Sequence, residues 1–190
     1  KKLPSNLESQ VKLKVATKRR SLIEANHTGT HLLHQALRNI LGDHVEQRGS
    51  MISDEMFRFD FSHPSKLSSS DLHSINSFVN SKIKESIPLV ENREEDYETA
   101  INNGAIGLFT EKYEDKVRTV KFNESYELCG GTHAKNTSKL KTFSIISEVS
   151  QAFGIRRITA TCNEEIILKE LEKKKASQEK AANEKVNKEL

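Results

Sequence analysis

The chain has 190 residues, 35% hydrophobic and 30% charged, which fits one packed domain with an appendage and excludes two full-sized domains. Lys and Arg number 30 against 27 Asp and Glu, and the net charge of +3 excludes a polybasic, histone-like binder; any nucleic-acid partner has to be met by local basic patches. No run approaches the roughly 18 to 20 consecutive apolar residues of a membrane span, the Lys-rich start lacks the apolar core of a signal peptide, and 2 cysteines are too few for a disulfide framework, which points to a reducing, cytoplasmic setting.

Residues 1 to 10 are polar with one Pro and read as a linker. Val11, Leu13 and Val15 then alternate with Lys12, Lys14 and Ala16, predicting a short edge-like strand. From about Leu22 to Leu41 the apolar positions Ile23, Leu32, Leu33, Leu37, Ile40 and Leu41 repeat with a helical period, and Gly42 is a suitable stop. Phe57, Phe59 and Phe61 alternate with Arg58 and Asp60 as a half-buried strand, with His44 to Met51 as its partner across a short turn. A Pro/Ser loop from Ser62 to Ser70 ends in a candidate N-cap, and a second amphipathic helix runs through Leu72, Ile75, Phe78, Val79 and Ile83 to about Ser86, before Pro88. Leu89 and Val90 start a short strand, Glu94 to Asn103 reads as a helix with acidic residues in its first turn, and 117–122, 143–150 and 155–161 are β-rich, the last two joined at Gly154. After Asn163 only weak apolar marks persist among charges, predicting a solvated helix. The organisation is therefore a linker at 1–10, an α+β domain of mixed sheet and helices at 11–162, and a helical segment at 163–190.

Chemistry concentrates in two places. In NHTGTHLLH, His27 and His31 lie 40° apart on one helix face with Thr30 and His34 flanking them, the i, i+4 arrangement that offers two imidazoles to one ion. His34 is better placed to support such a site than to ligate. Gly29, costly inside a helix by about 1 kcal/mol against Ala, marks a close approach. In Cys129-Gly130-Gly131-Thr132-His133, two adjacent glycines break any helix and bring a thiolate and an imidazole toward one point. His27, His31, Cys129 and His133 together make a four-ligand set, and soft thiolate with imidazole suits Zn2+. The residue after the first His is Thr28 rather than Glu, so the general base of a metalloprotease is missing; four protein ligands also fit a closed structural zinc. The 8 glycines form neither a P-loop nor a GxGxxG pattern, so ATP chemistry is not encoded here, and a first residue of Lys1 rather than Met suggests a piece of a longer chain.

The runs NHTGTHLLHQALR, QRGSM, FRFDF, GLFTEKYEDKVR, CGGTH and GIRRITA in combination closely resemble the editing domain of alanyl-tRNA synthetases, over roughly residues 11 to 162. The resemblance implies a two-layer fold of the threonyl/alanyl-tRNA synthetase second additional domain type, followed by a helix leading toward a C-terminal region. It implies hydrolysis of Ser-tRNA(Ala) and Gly-tRNA(Ala) by a domain of an enzyme that ligates alanine to tRNA(Ala) with ATP, and contact with the tRNA acceptor end and the rest of the synthetase chain. By motif position, His27, His31, Cys129 and His133 are then the zinc ligands. Thr30 lies near the amino-acid side chain, Gln47 of QRGS is in the pocket, and Arg156 and Arg157 meet tRNA. The segment before Gly154 reads SerGlnAlaPhe where the family has Gly followed by small or aliphatic residues, and Gly29 stands where Ala is common. A zinc-stabilised RNA-binding module without activity and a free-standing trans-editing deacylase are the alternative readings.

Overall fold

The structure, a computed structural model, describes residues 10, 12–107 and 113–189. Most of the 1–10 linker, Val11 and residues 108–112 of the GLFTEKYEDKVR run lie outside the described residues. The α+β class holds, with the strands divided between two sheets whose named pairs are all antiparallel.

Helix α1 spans Thr17–Leu41, starting five residues earlier than the apolar period suggested. The strand expected around Val11 to Val15 is not formed over 12–16: no described strand offers a partner there, and Leu13 and Val15 stand exposed. The added first turn is polar, and Lys18 and Arg19 pair with Glu165 and Asp54. From Ala25 to Leu37 every residue of the helix except half-buried His27 is buried, and it ends at Gly42, whose φ of 113° suits glycine and whose N–H donates to the Arg38 carbonyl. The Asn26 amide fixes the helix against its surroundings, donating to the Ser53 carbonyl at 2.8 Å and accepting from the Cys162 N–H at 2.8 Å.

Strands β1 (Gln47–Ile52) and β2 (Phe57–Ser62) form the expected hairpin, and with β7 (Ile155–Thr161) and β6 (Ser144–Ala152) complete a sheet in the order β1-β2-β7-β6. Period-2 alternation places Phe57, Phe59 and Phe61 on the face covered by α1 and α2 (Ser69–Lys84), where they join Leu32, Leu33, Leu37, Ile75 and Ile158 in the main core. Helix α2 begins at a capping box formed by Ser68 and Asp71. A Cβ on Gly29 would sit 2.9 Å from Cys162 Sγ and 3.3 Å from Phe57 Cε1, so this glycine is the close approach of helix to sheet that its position in α1 suggested.

The second sheet has the order β3-β4-β5: Val90–Asp96, Lys116–Phe122 and Ser125–Leu128. Here the expected helix over Glu94 to Asn103 needs correction. Strand β3 runs on to Asp96, and α3 covers only Tyr97–Asn102. The acidic residues are used otherwise: Glu95 accepts from Tyr126 Oη at 2.8 Å and from Thr119 Oγ1 across the sheet, and Asp96 caps α3 by accepting from the Thr99 N–H. Strand β5 and a 3-10 turn at Thr137–Leu140 were not anticipated. Helix α4 spans Glu164–Glu189 with acidic residues in its first turn, and no helix of the described residues is long and apolar enough to cross a membrane.

Candidate metal centre

The two half-sites meet. Ligand atoms of His27, His31, Cys129 and His133 all lie within 4.8 Å of one another, with Cys129 Sγ 3.5 Å from His27 Nε2 and 3.3 Å from His133 Nε2. Four donors around a tetrahedral ion at ordinary Zn–N and Zn–S bond lengths are separated by roughly 3.3 to 3.6 Å, so the two sulfur–nitrogen contacts already fit and the widest separation, up to 4.8 Å, has to close by about 1 Å. Helix α1 delivers the first pair by its 100° period. The loop after β5 delivers the second pair because Gly131 lets it pass directly over His27.

Each imidazole is held from behind. His27 Nδ1 lies 3.0 Å from the Thr132 carbonyl, which can only accept, so this nitrogen carries the proton and Nε2 is left to the centre. Thr28 Oγ1 sits 3.1 Å from His133 Nδ1 and accepts the Ala134 N–H at 3.1 Å, so the residue read only as a missing base clamps the CGGTH loop onto the helix. His31 Nδ1 faces Glu127 Oε2 at 3.6 Å, and the other oxygen of that carboxylate is 3.1 Å from His34 Nδ1. His34 is thus in support and outside the ligand set. Arg118 braces the loop by donating to the Cys129 and Gly131 carbonyls at 2.6 and 2.8 Å, while its other face holds Glu91. Glu127 and Arg118 carried no signal in spacing; both lie on strands of the second sheet, and only its docking on α1 brings them here.

The electrostatics favour neutral, ligating imidazoles. Burial pulls His31 down to about 3, against the opposing pull of Glu127, and pulls His133 down to about 2, helped by His27 and Arg118. His27 is lowered in the same way. Burial raises the Cys129 thiol, partly offset by the Gly131 N–H, so a metal ion would have to displace its proton. Cys162, buried beside Gly29, is pushed up much further and takes no part.

The unfolded imidazole titrates near 6.5, so below that pH the unfolded chain takes up protons that buried His31 and His133 refuse until about 3 and 2. Stability therefore falls as pH drops from about 6.5. Between pH 7 and pH 5 the metal-free protein is expected to lose roughly 2 kcal/mol for each of the two imidazoles, read as a lower urea midpoint; an unchanged midpoint would contradict the buried, neutral assignment.

Beside the centre opens a cleft of about 430 Å³ lined by His27, His31 and Cys129 together with Thr30, Gln47, Ser50, Arg118 and Gly130. Thr30 is buried, and its hydroxyl donates to the Asn26 carbonyl at 2.9 Å, the local bond of a helical threonine, which leaves the oxygen lone pairs for an incoming donor. Gln47 opens β1 at a bulge that breaks the register between Gln47 and Gly49, and its amide donates to Ser50 Oγ at 3.3 Å. Arg156 and Arg157 do not line the cleft. Arg156 pairs with Glu148, and Arg157 grips Asp60 through two bonds of 2.6 and 2.7 Å.

Residues 117–159, which include Cys129 and His133 and no part of α1, match the family described as Threonyl and Alanyl tRNA synthetase second additional domain, in agreement with the α+β fold. Over most of its length the chain is similar to alanine–tRNA ligases. It is 51% identical over 164 residues to that of Christiangramia forsetii, covering 86% of this chain and 19% of the relative. It is 48% identical over 160 residues to that of Flavobacterium psychrophilum, covering 84% and 18%, and 51% identical over 152 residues to that of Thermotoga sp. strain RQ2, covering 80% and 18%. The chain spans about a fifth of the length of these curated relatives, and the resemblance to alanyl-tRNA synthetases drawn from its motifs holds.

Proposed function

We propose that this domain hydrolyses Ser-tRNA(Ala) and Gly-tRNA(Ala), as the editing part of an enzyme that ligates alanine to tRNA(Ala) with ATP in the cytoplasm. The observation that carries the reading is convergence: Thr30 and Gln47 line the same cleft as His27, His31 and Cys129. The donor set of three imidazoles and one thiolate fits zinc. When bound, the ion supplies Lewis-acid polarisation and orientation at the ester, a bond far easier to cleave than an amide.

The chain's own residues do the rest. Thr30 offers its oxygen to the serine hydroxyl, and Gln47, held by Ser50, offers an amide to the terminal ribose or the ester. Arg118 and Thr28 keep the loop closed on the helix so that the reacting ester meets a fixed surface. Editing is the remedy chemistry demands here, because a synthetic site sized for alanine excludes neither glycine nor serine strongly. Arg156 and Arg157 remain candidates for tRNA contact, with Glu148 and Asp60 as the partners they would have to share.

Incubation with Ser-tRNA(Ala), Gly-tRNA(Ala) and Ala-tRNA(Ala) tests the reading. Hydrolysis of the first two, sparing of the third and loss on chelation are expected. A folded, zinc-loaded protein that cleaves none of them overturns the deacylase reading in favour of a zinc-stabilised RNA-binding module. Within the reading, Thr30→Val keeps the β-branched shape and removes the acceptor. It is expected to slow hydrolysis of Ser-tRNA(Ala) by about 10- to 100-fold, as for one unmade buried hydrogen bond. Gly-tRNA(Ala) hydrolysis and zinc content should stay near wild type. Equal single-turnover losses on both esters would return Thr30 to helix packing.

A further inference from the structure

Glu127 is a buried carboxylate beside the centre. Its side chain is 3% exposed on β5, no Lys or Arg among the described residues pairs with it, and two imidazoles, His31 and His34, face its carboxylate. A buried carboxylate so placed is tolerated only if hydrogen bonds compensate it. The structure places one donor within hydrogen-bond distance, His34 Nδ1 at 3.1 Å from Oε1, and a second nitrogen, His31 Nδ1, just outside it at 3.6 Å from Oε2. His31 Nδ1 is buried without a hydrogen-bond partner, and Glu127 Oε2 is the acceptor that faces it. Both histidines project from one face of α1, three residues apart, so a single carboxylate reaches both. A proton on His31 Nδ1, held toward Glu127, leaves the opposite ring nitrogen as a bare lone pair, the form that binds a metal.

We propose that Glu127, backed by His34, is a positioning residue for the metal centre: it fixes the tautomer and ring orientation of His31 while touching neither ion nor substrate. The inference rests on reading His27, His31, Cys129 and His133 as metal ligands. His34 accounts for itself in the same way: buried and outside the ligand set, it holds the second oxygen of Glu127 and stops the carboxylate from turning away. Glu127→Gln is the discriminating change, because the amide keeps the shape but can accept from only one imidazole and presents an N–H to the other.

The test is zinc affinity of the full chain by chelator competition, with the visible absorption of the Co2+-substituted protein as a report on ligand geometry. Glu127→Gln is expected to weaken zinc binding by about 10- to 100-fold and to change the Co2+ spectrum. Glu127→Asp, which keeps the charge on a shorter arm, should fall between Glu127→Gln and wild type. His34→Asn, which leaves Glu127 in place, should weaken binding several-fold with the metal-free fold intact by circular dichroism. Wild-type affinity and spectrum in folded Glu127→Gln overturn the inference; if that variant does not fold, wild-type affinity in both Glu127→Asp and His34→Asn overturns it. Failure of the unmodified chain to bind zinc overturns the metal reading itself and this inference with it.

Discussion

Replacing Cys129 by alanine is expected to empty the centre and abolish hydrolysis. The thiolate is the only anionic member of the ligand set, and its sulfur lies within 3.5 Å of His27 Nε2 and 3.3 Å of His133 Nε2, so its loss leaves three neutral imidazoles around a gap. Loss of an outer partner of a ligand costs roughly 10- to 100-fold in affinity, and loss of the charged ligand should exceed that. Elemental analysis of freshly purified Cys129→Ala should find essentially no zinc, with Ser-tRNA(Ala) hydrolysis at the uncatalysed rate. Full activity without metal would refute the assignment.

Gly131→Ala is expected to damage the centre nearly as badly without removing a single ligand. A Cβ at this position would lie 2.2 Å from His27 Cε1 and 2.7 Å from His27 Nδ1, inside any permitted contact, and the ring cannot retreat without giving up the Thr132 carbonyl. Gly131 does not have a positive φ, so backbone strain plays no part and the whole effect is steric. Its neighbour is the control. A Cβ on Gly130 meets nothing within 4 Å, so Gly130→Ala should keep its zinc. Metal content measured on the two variants separates them; equal retention would mean that the loop does not pass over His27 as described.

These two glycines show where sequence reading stopped. Adjacent glycines say that a helix ends and a loop bends, and that was legible; which of them carries the approach depends on the His27 ring, delivered by α1 from far back in the chain. The helix bearing His27 and His31 was readable because a 3.6-residue period is a local property, as was the β1–β2 hairpin from the alternation of Phe57, Phe59 and Phe61. The start of α1 was missed because Lys12 to Ala16 alternate like a strand with no described strand to pair with. The acidic run at Glu94 to Asp96 misled because a helix first turn, an N-cap and a cross-sheet acceptor favour the same residues. Glu127 could not be picked out at all, and Arg118 was visible only as the last residue of the GLFTEKYEDKVR run, without the bracing role. One needs the imidazoles of α1 opposite it and the other the Cys129 and Gly131 carbonyls, and neither relation leaves a pattern in the chain.

The clamp between Thr28 and His133 joins residues 105 apart, and this sets a timetable for synthesis. At about 5 to 20 residues per second, the helix half of the centre leaves the ribosome some 5 to 20 seconds before the loop half exists. During that interval Thr28, His31 and His34, fully covered in the finished fold, have no second sheet against them and no ion to share. Capture of a metal by the proposed ligand set would then be a closing event of biogenesis, and a nascent chain halted before Cys129, with only His27 and His31 to offer, should bind zinc far more weakly than the finished chain.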